Sequence, residues 1–150
     1  MYSSQDSGKS REKGTDELPL YELVGMPGVF YEGNWKKGKQ HGHGKVYTKN
    51  GVFFEGEFSN GIAECQDGLL VCPDGSFYRG NFDNNAFEGE GKFVYRTNGM
   101  VYNGAWADDH PHGKGTERYQ DGSSYEGEFV NGKKEGKGTF TWADGKVYEG

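Results

Sequence analysis

From residue 31 onward the aromatic residues come in pairs four positions apart, with a glycine midway between them. The units are Tyr31-Glu32-Gly33-Asn34-Trp35, Phe54-Glu55-Gly56-Glu57-Phe58, Tyr78-Arg79-Gly80-Asn81-Phe82, Tyr102-Asn103-Gly104-Ala105-Trp106 and Tyr125-Glu126-Gly127-Glu128-Phe129. Side chains of an extended strand alternate between faces, so in each unit the rings and the glycine share one face and the polar residues the other. The leading rings are separated by 23, 24, 24 and 23 positions, and Tyr148-Glu149-Gly150 restarts the pattern 23 residues further on. Recurrence in phase at this period predicts a repeat architecture.

Every period continues alike. A polar turn follows the second ring: "KKGK", "SNGI", "DNNA", "ADDH" and "VNGK". Next comes a Gly-x-Gly pair, at Gly42/Gly44, Gly89/Gly91, Gly113/Gly115 and Gly136/Gly138, then a short alternating run such as "KVYT", "KFVY" or "TFTW". Asn50-Gly51, Asp74-Gly75, Asn98-Gly99, Asp121-Gly122 and Asp144-Gly145 close the periods. Asn-Gly and Asp-Gly between alternating runs signal hairpins with type I′ turns, whose two central residues both need positive φ. One antiparallel hairpin per repeat is expected, with Gly-x-Gly letting the backbone turn sharply between one hairpin and the next. The mid-strand glycine leaves room that a neighbouring ring or a close backbone fills. Because an isolated hairpin is marginal, the repeats must stack. The expected fold is all-β, an elongated single-sheet solenoid of tandem antiparallel hairpins.

Residues 1–17 are polar and predict a disordered tail. Residues 18–150 form one repeat domain, with a half repeat or cap over 18–30, repeats from Tyr31, Phe54, Tyr78, Tyr102 and Tyr125, and a partial repeat from Tyr148. The pattern stops without a cap there, which implies either truncation or an open strand edge that meets a second copy as a homodimer. The second repeat, "NGIAECQDGLLVCPDG", lacks the first glycine of the pair, is one residue longer, and holds both cysteines. The third has an extra residue in "VYRTNG", and a small bulge accounts for each.

Composition narrows the function. Glycine makes up 27 of 150 residues, and aromatics reach 15% although apolar residues total only 32%. That fits neither a layered aliphatic core nor a disordered chain, which is poor in aromatics. The net charge of −6 disfavours nucleic acid, which demands a basic face. Cys65 and Cys72 make no disulfide framework and no CxxC, consistent with reduced thiols in a cytoplasmic protein. The N-terminus has no apolar signal region, and no apolar run approaches membrane-spanning length.

Motifs with chemical potential resolve into repeat positions. "GKGT" at 113–116 and 136–139 lacks the register of a phosphate loop, because glycine follows each lysine. His41/His43 and His110/His112 have a His-x-His spacing that suits zinc, but His41 and His112 sit ten residues after their leading tyrosines and read as turn residues. Glu55/Glu57 and Glu126/Glu128 recur at the same two positions and read as a solvated acidic face rather than a catalytic pair. The expectation is therefore no catalytic residues, no metal and no cofactor.

The stretches "YEGNWKKGKQHGHGKVY", "YNGAWADDHPHGKGTERYQDGSSYEGEF" and "YEGEFVNGKKEGKGTFTWADGKVYEG" resemble MORN (membrane occupation and recognition nexus) repeats, over about residues 28–150. The resemblance implies a non-catalytic scaffold, often in cilia, flagella and other cytoskeletal structures, and in some members a groove that accepts a partner helix. Two sets of site residues follow. Tyr31, Trp35, Phe54, Phe58, Tyr78, Phe82, Tyr102, Trp106, Tyr125 and Phe129 either form the core or line a groove for a partner peptide or amphipathic helix. Glu32, Glu55, Glu126 and Glu128 then favour a basic partner. Lys36, Lys37, Lys39, Lys133, Lys134 and Lys137 support the alternative, a peripheral adaptor on anionic lipid. Period-2 alternation defines two faces without saying which one is buried.

Overall fold

The computed structural model describes residues 20–23 and 25–150, so the tail expected over residues 1–17 lies outside the described residues. In chain order the strands are β1 (Leu20–Glu22), β2 (Val29–Lys36), β3 (Lys39–Thr48), β4 (Phe53–Ser59), β5 (Ile62–Ala63), β6 (Cys65–Val71), β7 (Phe77–Asp83), β8 (Ala86–Val94), β9 (Val101–Ala107), β10 (His110–Arg118), β11 (Ser124–Val130), β12 (Lys133–Thr141) and β13 (Val147–Glu149). Each aromatic-x-Gly-x-aromatic unit lies within β2, β4, β7, β9 or β11. All strands join one open antiparallel sheet in sequence order, with β5 pairing only β4 off the main path. The expected all-β hairpin array is thus the observed fold. Twelve strands at about 4.8 Å spacing extend the sheet over roughly 53 Å.

The turns differ from expectation. The two-residue loops with positive φ at both central residues are Lys37-Gly38, Asn60-Gly61, Asn84-Asn85, Asp108-Asp109 and Asn131-Gly132, and these are the type I′ turns. In the Asp-Gly turns only the glycine has positive φ, 91° at Gly75, 94° at Gly122 and 94° at Gly145. Around Asp74, Gly75 N–H donates to Cys72 O and Cys72 N–H to Ser76 O, which is a three-residue loop built on a type I turn. The aspartate is selected by its side chain instead: Asp74 Oδ1 accepts from Ser76 N–H at 2.8 Å, and Asp121 Oδ1 from Ser123 N–H at 2.9 Å. The Ser76 N–H bond holds the Asp74 carboxyl below its usual range, and the Ser123 hydroxyl, which donates to Asp121 Oδ1 at 2.6 Å, does the same for Asp121 together with the Ser123 N–H. The extra residue of the third repeat lengthens this loop, closed by Gly99 N–H to Tyr95 O, rather than forming a strand bulge.

Gly-x-Gly also lies elsewhere than expected. It sits inside a strand, not between hairpins. Its first glycine adopts positive φ, 81° at Gly42 and 70° at Gly89, and the register shifts there, so the strand carries a bulge. Its second glycine enters a column that crosses the sheet. Gly33 pairs with Gly44 and Gly44 with Gly56, then Gly68 with Gly80, Gly80 with Gly91, Gly91 with Gly104, Gly104 with Gly115, Gly115 with Gly127 and Gly127 with Gly138.

The leading tyrosines lie over this column. A Cβ on Gly44 would come within 2.3 Å of Tyr31 Oη, and one on Gly91, Gly115 or Gly138 within 2.2 Å of Tyr78, Tyr102 or Tyr125 Oη. The hydroxyls of Tyr31, Tyr78 and Tyr102 donate to the carbonyls of Asn34, Asn81 and Ala105, at 2.7, 2.8 and 2.7 Å. In the second repeat the leading ring is Phe54, which has no hydroxyl, and Cys65 Sγ fills the space, 2.9 Å from a Cβ on Gly56 and 2.8 Å from one on Gly68. Cys65 packs against the ring cluster, and burial raises its thiol pKa.

Gly115 and Gly136 separate the two uses of glycine. Gly115 has ordinary φ but no room, whereas Gly136 has φ 66° and nothing within 4 Å of an added Cβ. Gly115→Ala is expected to cost about 2–3 kcal/mol through overpacking, and Gly136→Ala about 1–2 kcal/mol through backbone strain alone. Urea midpoints measure both. A Gly115→Ala protein with the wild-type midpoint would refute the packing role of the column.

Candidate functional site

The ring face is the interior. Tyr31, Tyr78 and Tyr102 are 0% exposed, and Phe54, Phe58, Phe82, Trp106, Tyr125 and Phe129 are all buried. Trp35 is half-buried and packs against the same cluster. Each leading ring meets the second ring of its own unit edge-to-face, Tyr31 on Trp35 at 4.9 Å and Tyr102 on Trp106 at 5.1 Å. It also meets the second ring of the next unit: Tyr31 on Phe58 at 5.4 Å, Phe54 on Phe82 at 4.9 Å, Tyr78 on Trp106 at 5.1 Å and Tyr102 on Phe129 at 5.0 Å. Of the two readings of these ten rings, the geometry supports the core. Their surfaces are largely spent on one another and on glycine, with Trp35, Val46, Leu70, Phe87, Phe93, Tyr119 and Phe140 half-buried around them.

The opposite face holds the open surface. Along the last five strands it forms a groove of about 960 Å³, bordered by Asn103, Lys114, Thr116, Glu126, Glu128, Lys137, Thr139 and Glu149 and floored by column glycines such as Gly115 and Gly127. A second hollow of about 500 Å³ lies toward the other end, bordered by His43, Glu55, Glu57, Asp67, Leu69 and Arg79. Register places these side chains on the face away from the rings, since Lys45 pairs with Glu55, Lys114 with Glu128 and Glu126 with Thr139. The Glu55/Glu57 and Glu126/Glu128 pairs therefore line the hollows. His43 sits between the first pair, with Nε2 2.9 Å from Glu55 and Nδ1 3.3 Å from Glu57. Arg79 Nε donates to Asp67 at 3.1 Å. The other histidines include turn contacts, His110 Nδ1 lying 2.8 Å from Asp108 O and His112 Nδ1 accepting from Asn131 N–H at 3.4 Å.

The lysines do not converge. Lys36, Lys37 and Lys39 surround the β2–β3 turn, while Lys133 and Lys134 follow the β11–β12 turn. About eight strand spacings, near 38 Å, separate these turns. The turns between them on the same rim carry Asn60-Gly61, Asn84-Asn85 and Asp108-Asp109, so the rim is no continuous basic strip. Lys137 borders the groove. Lys134 turns to the ring side, pairs with the largely buried Glu117 at 2.9 Å, and lies 5.3 Å from the Tyr125 ring centre. Partial burial pulls its pKa down, but hydrogen bonds and charge from Glu117 and Tyr119 outweigh this and raise it. Glu117 stands opposite Tyr102, where other repeats place Val46, Leu70, Phe93 and Phe140 opposite their leading rings, and Tyr119 Oη also donates to it at 2.5 Å. No sequence period announced this ion pair, because it departs from the repeat.

A comparison with protein families matches the MORN repeat at residues 31–52, 54–64, 78–100, 102–124 and 125–147. The chain belongs to the MORN repeat family. The matches begin at the leading rings, and the interval from 65 to 77 without a match covers the cysteine-bearing, aliphatic part of the second repeat. MORN repeats are a non-catalytic repeat type found in binding and scaffold proteins.

Burial gives the MORN core an alkaline limit. Tyr102 is pushed up to about 12 by burial, with Glu90 and Glu117 adding to it, and Tyr78 is raised chiefly by burial as well. An unfolded tyrosine titrates near 10, so the unfolded chain releases protons that the fold retains. This stability is fully present below about pH 10 and declines as pH rises toward the folded values, by about 1.4 kcal/mol per pH unit for each tyrosine. Tyrosinate absorbance at 295 nm and loss of the β-sheet circular dichroism are expected to rise together above pH 10. Complete tyrosine ionisation with the sheet intact would contradict the burial.

Proposed function

We propose that this MORN-repeat chain is a protein-binding scaffold that docks a segment of a partner protein along the face opposite the rings, in a cytoskeletal or ciliary assembly. The observation that carries this reading is the division of labour between faces: one is filled by its own rings, and the other offers hollows where the carboxylates of Glu55, Glu57, Asp67, Glu126, Glu128 and Glu149 outnumber the cations of Arg79, Lys114 and Lys137. Carboxylates at the walls favour a partner segment rich in lysine or arginine and make the encounter sensitive to salt. The cytoskeletal or ciliary setting rests on the family resemblance.

Affinity capture from ciliated-cell extract tests the docking face, comparing wild-type protein with Glu126→Arg/Glu128→Arg. These side chains are exposed, so the variant should keep the wild-type melting temperature within a few degrees. Partners held by the wild type are expected to fall at least about tenfold on the variant, the scale at which like-charge contact disrupts an interface. An unchanged set of partners on the folded variant would overturn this reading of the groove.

A further inference from the structure

The middle residue of each Gly-x-Gly stands on the face opposite the rings, across from the fourth residue of the next ring unit. His43 pairs in this way with Glu57, Glu90 with Ala105 and Lys114 with Glu128. Two of these pairs set a nitrogen base against a glutamate, and the two bases differ in kind. A lysine side chain is charged at any physiological pH, whereas an imidazole ordinarily gains or loses its charge between pH 5 and 8. His43 also contacts two carboxylates at once, with Nε2 2.9 Å from Glu55 and Nδ1 3.3 Å from Glu57. An ionised carboxylate only accepts, so each contact needs an N–H from the ring. A neutral imidazole has one N–H and an imidazolium has two. The arrangement is complete only in the charged ring. In the neutral ring, one carboxylate faces a nitrogen lone pair.

The surroundings supply no second pH-dependent charge to these carboxylates. Lys45, on the strand of His43, stands between Glu32 on β2 and Glu55 on β4 in the register. Across the hollow, Arg79 on β7 is bonded to Asp67 on β6. Burial raises both the Cys65 thiol and the Tyr47 hydroxyl, which stay neutral between pH 5 and 8. His41 has its Nδ1 buried. Resting on the proposed function, we infer that His43 is an internal counter-ion that makes docking in the second hollow depend on pH. As an imidazolium it holds Glu55 and Glu57 together and opposes a basic partner segment. As a neutral ring it releases one of them to a lysine or arginine of the partner. Docking there strengthens as pH rises through the imidazole range and weakens on acidification. The groove at Glu126 and Glu128, whose bordering cations are Lys114 and Lys137, lacks this dependence.

The probe is hexa-arginine, acetylated and amidated so that its charge is constant, titrated into the full-length 15N-labelled protein at about pH 5.5 and 7.5 and equal ionic strength. The amides of Glu55 and Glu57 follow the second hollow, those of Glu126 and Glu128 follow the groove, and the ring C–H signals of His43 follow its charge. Binding at Glu55 and Glu57 is expected to be at least about threefold tighter at the higher pH, the scale of one exposed charge, with no such change at Glu126 and Glu128. By reciprocity, saturating peptide should move the His43 titration toward lower pH by about half a pH unit. His43→Gln should remove the dependence, and His43→Lys, which copies Lys114, should hold the weaker binding at both pH values. The wild-type ratio and the reciprocal shift need no variant, so they decide the matter should either substitution unfold the chain. Equal wild-type binding at the two pH values, a ratio that persists in His43→Gln, or a His43 ring that does not titrate in this range overturns the pH gate. If hexa-arginine still binds at Glu55 and Glu57 in those cases, docking on this face survives. Binding at Glu126 and Glu128 alone also overturns the gate and leaves groove docking in place. Binding at neither place overturns the gate, and unchanged capture by Glu126→Arg/Glu128→Arg would then remove the docking face as well.

Discussion

A tyrosine ring lying flat on a glycine of the neighbouring strand is the contact on which the rest of this protein depends. The ring can lie there only because no Cβ stands in the way, with Oη 2.2–2.3 Å from where a Cβ on Gly44, Gly91, Gly115 or Gly138 would be. Lying flat brings the Tyr31, Tyr78 and Tyr102 hydroxyls to carbonyls three residues on in their own strands. It also presents ring surface to the second aromatic of its own unit and of the next. Edge-to-face ring pairs contribute about 0.5–1.5 kcal/mol each beyond their buried area. A single-layer sheet thus assembles an apolar interior from rings and backbone, without a second layer of secondary structure.

Stabilisation passes from each repeat to its neighbour, as in other one-dimensional arrays. The rim opposite the Asp-Gly turns follows the same logic. Gly61 N–H donates to Gln40 O, Asn85 N–H to Ala63 O, Asp109 N–H to Phe87 O and Gly132 N–H to Pro111 O, so each type I′ turn after the first is bonded to the preceding hairpin just past its own turn. The second repeat shows how far the rule bends. Phe54 loses the hydroxyl and Cys65 supplies the missing bulk. The cysteine that looked like an irregularity is the compensating half of a substitution in the ring layer.

Because the rings serve the interior, the charged hollows open on the other face. That face is not uniform. Toward the N-terminal side an apolar row from Phe30 to Val101 runs beside Glu32, Lys45, Glu55 and Arg79, and past Val101 the row turns polar beside a groove bordered by Lys114, Lys137, Glu126, Glu128, Thr116 and Thr139. A scaffold built this way changes its binding surface, strand by strand, without disturbing the ring layer beneath. The glycine column is common to both faces: it admits the rings on one and floors the hollows on the other.

The sequence by itself determined the repeat, its period, the strand assignment of the ring units and the antiparallel hairpin order, because each is written in local spacing: rings four apart, a glycine between them, and turn residues in phase. It determined less about the turns. Asp-Gly is compatible with two loop types, and only the hydrogen bond that Ser76 N–H donates to Asp74 Oδ1 and the φ of the aspartate itself, which is not positive, tell them apart. Tertiary structure alone decided which face is buried, since alternation is symmetric between faces until ring meets ring across repeats. It alone aligned Phe30, Tyr47, Phe53, Val71, Phe77, Val94 and Val101 into one row, because those residues belong to seven strands and their order in space is set by register. A contact between neighbouring residues can be read along the chain; one that runs across strands exists only once the strands are paired.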